Sequence, residues 1–154
     1  MTKKILTIFY ILIFVFGLIL AQFFIPLFRE ILAGSIIFLI PMLIFCILGL
    51  WLAVLVFKSE LAGWLKRFLI LSGLGPIGLF VGTVAHNIFY ALAELSHNIK
   101  ILVYIFNFIH VSFFLLSVIV CPLAFLVGVI GAIYLLVKKK YNLKFFAKNQ
   151  SIKS

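Results

Sequence analysis

The side chains that could carry chemistry in this chain are few, and five of them fall in one short stretch. Thr83, Asn87, Tyr90 and Glu94 follow one another at spacings of four, three and four residues, with His86 beside them. On a helix this spacing places the four on one face. Because their neighbours are strongly apolar, such groups should face the protein interior or a wet cavity. The stretch, here called the polar stripe, is predicted to supply either interhelical hydrogen bonds or a site for a ligand or proton.

The three histidines, together with Glu94, raise the hypothesis of a metal site. Glu94 and His97 have the spacing of a carboxylate–imidazole pair on one helix face. With His86 or His110 they would complete a zinc-type set of nitrogen and oxygen ligands. A haem held by His86 and His110 is a further alternative. Against both, Glu94 and His97 fall where the predicted helix ends, and loop residues are usually polar. We therefore predict no cofactor.

Catalytic chemistry has little support in the residue types. The chain has no aspartate, and no serine–histidine pair with an evident orienting group. Its three glutamates lie at the ends of apolar runs, so the membrane-embedded carboxylate of a proton-coupled exporter is missing. Cys46 and Cys121 lie in separate runs and do not form the paired thiols of a disulfide-forming redox site. We predict that the protein is not an enzyme.

Long apolar runs position these residues. The chain is 67% hydrophobic and 10% charged, where a soluble domain has about 25% charged residues. A helix crosses the roughly 30 Å hydrocarbon core with about 20 residues. The predicted fold is therefore an all-α, polytopic transmembrane helical bundle, a single domain over residues 1–154. Its four spans are predicted at 5–28, 31–57, 68–93 and 111–137.

Two connections between these spans are distinctive. The first two spans meet at Arg29–Glu30, which predicts a tight helical hairpin. Before the fourth span, residues 101–109 carry no charge, and a single helix over 101–137 would be about 55 Å long. We assign 101–109 to an interfacial or re-entrant segment, with one long tilted helix as the alternative.

The charges predict which side of the membrane each segment occupies. Of 13 basic residues, eleven lie before span one, between spans two and three, or after span four. The positive-inside rule then predicts a plasma-membrane protein with both termini in the cytoplasm. We expect the basic tail, 138–154, to contact anionic lipid headgroups. Nucleic acid is not expected as a partner, because the tail is short and lacks arginine.

Small residues recur in spans three and four at spacings of three and four. We call these sets the small-residue stripes: Gly75, Gly78, Gly82 and Ala85 in span three, and Ser117, Cys121, Ala124, Gly128 and Gly131 in span four. Small side chains let helix backbones approach closely in lipid. The stripes are predicted to pack against each other, either within one chain or between two copies.

The same two spans carry a resemblance. The runs LSGLGPIGLFVGTVAHNIFYAL and VCPLAFLVGVIGAIYLLVK pair a glycine-rich entry and H-N-x-x-Y with C-P-x-x-F-L-V-G. This combination resembles a family of small uncharacterised prokaryotic integral membrane proteins, over roughly 65–138. The resemblance implies a four-span fold and no particular activity. The matching positions are Gly82, His86, Asn87, Tyr90, Cys121, Pro122 and Gly128.

Three function hypotheses follow from these patterns. The leading one is a non-catalytic accessory or assembly subunit, acting through the small-residue stripes in a homo-oligomer or a larger membrane complex. The second is a small transporter or channel whose outer vestibule is lined by the polar stripe. The third is a metal- or haem-binding membrane protein that uses the histidines.

Overall fold

The computed structural model of the protein describes residues 3–27, 30 and 39–151, with side chains as far as Lys139. The described residues form long helices joined by short connections. These are α1 (Lys3–Phe24), α2 (Leu39–Phe57), α3 (Gly63–Leu95), α4 (Lys100–Leu115), a π-helical turn (Leu116–Val120) and α5 (Cys121–Ser151). The last three follow one another without a break, so four helices in this part of the chain are long and apolar enough to cross a membrane. The predicted all-α helical bundle is confirmed.

The two predicted connections stand differently against the helix bounds. The predicted tight turn at 29–30 falls largely outside the described residues. Residues 101–109 form the first turns of α4 and continue without a break into the helix that contains 111–137, and their assignment to an interfacial or re-entrant position in the membrane stays a prediction. The physical reason is local, because no glycine or proline lies between Lys100 and Val120 to end the helix.

An aromatic group joins three helices in the core. Phe16 of α1 lies with its ring centroid 4.7 Å from that of Phe125 and 5.7 Å from that of Phe45. The rings of Phe45 and Phe125 meet edge to face at 5.1 Å. Such aromatic pairs contribute about 0.5–1.5 kcal/mol beyond the area they bury. Since the three residues come from α1, α2 and α5, this group fixes the relative positions of those helices.

Helix α3 is central because glycines let a neighbour approach it on two sides. A Cβ atom on Gly73 would lie 2.8 Å from the carbonyl oxygen of Gly49 in α2. On the other side, Cβ atoms on Gly75 and Gly82 would each lie 2.8 Å from a Cβ atom, of Phe125 and Ser117 respectively. The small-residue stripes therefore pack against each other within the chain, while Gly49 and Gly73 form a second close contact that the sequence analysis did not single out.

The remaining members of the stripes continue this contact along α3 and α5. A Cβ on Gly78 would lie 2.5 Å from the Cys121 sulfur, and a Cβ on Gly131 would lie 2.6 Å from the Phe68 ring. The pairs run in opposite directions along the two helices, which are therefore antiparallel. Ala85 and Ala124 are half-buried and lie beside this contact.

The connection from α2 to α3 is held by side chains that bond to the end of α2. The Lys66 ammonium donates to the carbonyl oxygens of Phe57, at 3.4 Å, and Ser59, at 3.3 Å. The Ser59 hydroxyl donates to the Val56 carbonyl at 2.7 Å. A cation beside the last carbonyls of a helix complements its dipole. Lys58, Lys66 and Arg67 therefore place three basic residues at this end of the bundle.

Candidate functional site

A cavity of about 580 Å³ lies between α1, α2, α3 and the helix formed by α4 and α5. It is at the end of the bundle where α1 ends and α2 begins. Its volume falls within the roughly 300–1,000 Å³ of typical ligand pockets. Among the described residues that line it, ten are apolar: Phe16, Ile19, Leu20, Phe23, Phe24, Met42, Leu79, Phe114, Val118 and Pro122. The three polar side chains among them are Thr83, His86 and Ser117.

The π-helical turn forms the wall opposite α1. Its characteristic bond runs from the Cys121 N–H to the carbonyl of Leu116, five residues earlier. Pro122 follows directly and has no N–H to donate to the preceding turn. A π turn accommodates one residue more than an α turn and is frequent at functional sites. Ser117 and Val118, which both lie in this turn, line the cavity.

His86 is tied to the neighbouring helix through one ring nitrogen. Its Nδ1 lies 3.0 Å from the backbone carbonyl oxygen of His110. Because a carbonyl oxygen only accepts, Nδ1 must carry the hydrogen. In the neutral ring, Nε2 then carries the lone pair and is free of the hydrogen. The bond therefore selects the tautomer of a histidine that lines the cavity.

Aromatic contacts hold the His86 ring in place. Its centroid lies 5.0 Å from that of His110 and 5.3 Å from that of Phe114. The Tyr90 ring meets His110 edge to face at 5.6 Å. The His110 Nδ1 atom is buried and has no hydrogen-bond partner in the described part of the chain. His86 is thus the point where a histidine–tyrosine cluster between α3 and α4 meets the cavity.

The two hydroxyl groups on the cavity wall already donate within their own helices. Thr83 Oγ1 donates to the carbonyl of Leu79 at 2.8 Å. Ser117 Oγ donates to the carbonyl of Phe114 at 3.0 Å. A hydroxyl has one hydrogen, so each oxygen is left only with acceptor capacity.

The structure divides the predicted polar stripe. Thr83 and His86 are half-buried and line the cavity, whereas Asn87, Tyr90 and Glu94 are exposed. Asn87 donates to the Thr83 carbonyl at 2.8 Å and so bonds to its own helix. The outer members of the stripe therefore lie outside the cavity lining.

The residues proposed as metal ligands do not come together. In the described ranges, no group of three histidine, cysteine, aspartate or glutamate side chains is close enough to hold a metal ion. His86 and Glu94 are eight residues apart on α3, which is about 12 Å along the helix. His97 follows the end of α3, and its Nδ1 lies 3.3 Å from the backbone carbonyl oxygen of Glu94. The rings of His86 and His110 lie next to each other, with centroids 5.0 Å apart.

Sequence reasoning missed the contribution of α1. Gln22 is 7% exposed, and its Oε1 atom has no hydrogen-bond partner among the described residues. It lies between Ile19 and Phe23, which line the cavity, although Gln22 itself does not. The available signal was its type, since it is the only amide side chain in the first apolar run. The aromatic side chains of α1 gave no such signal, because phenylalanine is common in every span.

Comparison of the chain with models of protein families, with curated proteins and with solved structures found no match. The resemblance noted from the sequence therefore stays a prediction. The functional interpretation depends on the geometry of the cavity and of the side chains around it.

Proposed function

We propose that this protein is a multi-pass membrane protein that binds a small apolar molecule in the cavity between its helices, without transforming it chemically. The observation that supports the proposal is the cavity itself, with about 580 Å³ of space, ten apolar lining residues and three polar ones. Predominantly apolar pockets with a few placed polar groups are the usual form of small-molecule sites. A transporter or channel would need both such a binding site and a path across the membrane. The binding proposal requires the site alone.

The surrounding lipid competes with any apolar ligand for this cavity. An apolar ligand gains little by moving from hydrocarbon into an apolar cavity, because lipid tails are as apolar as leucine. Shape and the polar groups Thr83, His86 and Ser117 must therefore distinguish the ligand from an acyl chain. We place both termini in the cytoplasm on the basis of the basic residues, and the protein in the plasma membrane of a prokaryote on the basis of the resemblance noted from the sequence.

A tryptophan placed in the cavity tests the proposal. The variant is Val118→Trp, since Val118 lines the cavity and, at 53% exposed, is not part of the buried core; the larger ring is expected to reduce the cavity volume. We expect it to abolish the saturable binding of naphthalene-sized probes, 1-naphthol and 1-methoxynaphthalene, measured by equilibrium dialysis in mild detergent.

The matched control is Val127→Trp. Val127 lies on the same helix, is 54% exposed and does not line the cavity. It should bind both probes as the unmodified protein does. Saturable binding that survives Val118→Trp, or that is absent from the unmodified protein, would contradict the proposed function.

An accessory or assembly role is the second candidate, and it requires a different surface from the one first expected. The small-residue stripes are occupied within the chain, so they offer no face to a partner. Among the four candidate spans in the described residues, the helix Lys100–Lys139 is the least buried. In its most apolar stretch, 28% of the residues are buried inside the bundle. Its large exposed side chains include Tyr104 and Phe108, at 75% and 76%. A second chain could cover this face.

Native mass spectrometry from mild detergent shows whether this exposed face contacts another chain or only lipid. A subunit role predicts a defined oligomer or a stoichiometric foreign chain. It also predicts that Phe108→Glu dissociates the assembly, because a charge would enter the interface. A monomer that carries only lipid would contradict the accessory role and leave the binding proposal intact.

A further inference from the structure

We infer that the cavity accepts an apolar molecule bearing a hydrogen-bond donor, of the alcohol or phenol class, and disfavours ethers and carboxylates of the same size. The inference rests on the proposed function and specifies its ligand. It follows from the hydrogen-bonding roles of the polar groups that line the cavity in the described part of the chain.

The first of these groups is His86. Its Nδ1–H is used by the His110 carbonyl oxygen, 3.0 Å away. The neutral ring then has only Nε2 left, and this nitrogen is an acceptor. A hydrogen bond from one ring nitrogen to a backbone carbonyl commonly fixes a histidine tautomer in this way, leaving the opposite nitrogen for a ligand.

The second and third groups are the hydroxyls of Thr83 and Ser117. Each has already given its one hydrogen to a carbonyl of its own helix, at 2.8 Å and 3.0 Å. Their oxygens retain lone pairs and can only accept from a ligand without breaking those bonds.

Pro122 lines the cavity directly after the π turn and has no N–H, so its backbone adds no donor to that wall. That turn contains Ser117 and Val118, which also line the cavity. The cavity therefore presents acceptors from two helices, α3 and the π-helical segment.

A surplus of acceptors determines which occupant is favoured. Buried acceptors without a donor are costly, and hydrocarbon tails cannot satisfy them. An alcohol or phenol supplies the missing hydrogen, whereas an ether brings only another acceptor. A carboxylate would bring a charged acceptor against other acceptors, which is the repulsive element that excludes a wrong ligand.

Three naphthalene probes of similar size test the donor requirement: 1-naphthol, 1-methoxynaphthalene and naphthalene-1-carboxylate. We expect 1-naphthol to bind about tenfold more tightly than the ether, which corresponds to one satisfied hydrogen bond. The carboxylate should bind most weakly. Equal binding of naphthol and ether, or tightest binding of the carboxylate, would overturn the inference, yet leave the proposed function standing if binding remains sensitive to Val118→Trp. Absence of saturable binding by all three would instead overturn the proposed function.

The histidine is tested by His86→Phe with His97→Phe as its matched control. His97 is exposed beyond the end of α3 and does not line the cavity. We expect His86→Phe to bring the ratio of naphthol to ether affinity close to one, while His97→Phe preserves it. A ratio unchanged in a folded His86→Phe protein would contradict the role of His86. Should that variant fail to fold, the three-probe comparison on the unmodified protein still decides the donor requirement.

Competition against bound 1-naphthol identifies which kind of molecule supplies the hydrogen-bond donor. Displacement of 1-naphthol by dioleoylglycerol would indicate a hydroxyl-bearing membrane lipid, and displacement by 1-dodecanol alone would indicate a small free alcohol. Either result supports the inference. Displacement by dodecyl methyl ether as efficient as by 1-dodecanol would contradict it.

Discussion

His86 illustrates how one hydrogen bond can set the chemistry of a residue. Its distance to the His110 carbonyl oxygen, 3.0 Å, assigns the ring hydrogen to Nδ1. The Phe114 and His110 rings on either side restrict how the imidazole can turn. Consequently the neutral ring of this cavity-lining residue has an acceptor at Nε2, rather than a nitrogen that can switch freely between donor and acceptor.

Gly128 lies where two backbones approach closely, and its substitution should be costly. A Cβ there would lie 2.7 Å from the Ser72 nitrogen and 2.8 Å from the Phe68 carbonyl oxygen. Backbone atoms cannot move aside unless α3 shifts, so Gly128→Ala should lower the free energy of unfolding by about 1–3 kcal/mol. The measurement is the midpoint of thermal unfolding in mild detergent.

Gly17 is the matched control for that prediction. It lies in α1, and a Cβ there would meet nothing within 4 Å. Gly17→Ala should leave the midpoint unchanged or raise it slightly, because alanine is favoured over glycine inside a helix by about 0.5–1 kcal/mol. The packing interpretation fails if Gly128→Ala unfolds no earlier than Gly17→Ala.

At the scale of elements, α3 meets different neighbours along its length. It has 33 residues, which at 1.5 Å per residue make about 50 Å. Its middle part contributes Leu79, Thr83 and His86 to the cavity lining. Its outer part packs mainly on α4, as the ring pairs of Phe89 with Phe106 and Phe113 show. The polar stripe therefore begins in the cavity wall and continues along the part of α3 that packs on α4.

The π-helical turn is the element that the sequence did not predict. A helix through Leu116–Val120 was expected, but the change from α to π bonding leaves no clear pattern in residue type. Pro122 was the available signal, since proline frees a carbonyl in the preceding turn and favours local rearrangement. The turn also carries Ser117, which contacts Gly82 and lines the cavity at the same time.

For the whole molecule, antiparallel packing gathers charge at one end of the bundle. The start of α1, the α2–α3 connection and the start of the basic region after Val137 all lie at that end. The opposite end has Lys100 and the exposed Glu94 near it. This separation is what the positive-inside rule requires of a protein whose basic end faces the cytoplasm.

Cysteine labelling tests that orientation. Glu60 and Asn98 are both exposed, and they lie in the connections at opposite ends of the bundle. In intact cells, a membrane-impermeant maleimide should label Asn98→Cys, and it should label Glu60→Cys only after permeabilisation. The unmodified protein gives the background, because Cys46 and Cys121 lie within the apolar helices. The reverse labelling pattern would contradict the proposed topology.

The sequence by itself determined the number and character of the helices. Lipid requires every backbone polar group in the membrane to be bonded internally, so apolar runs of this length predict helices directly. The spacing of Gly75, Gly78 and Gly82 likewise predicted a close helix contact, because small side chains remove the barrier to approach. These properties are local and can be seen in the residue types alone.

Only the tertiary structure decided which polar side chains share a site. Thr83 and Asn87 lie on one face by spacing, yet Thr83 lines the cavity and Asn87 is exposed. The difference arises from the helices that surround the cavity at Thr83, because α1 and α2, which are far away in the sequence, line it together with α3. Helical periodicity determines the direction of a side chain, but the environment that it meets depends on the packing of the other helices.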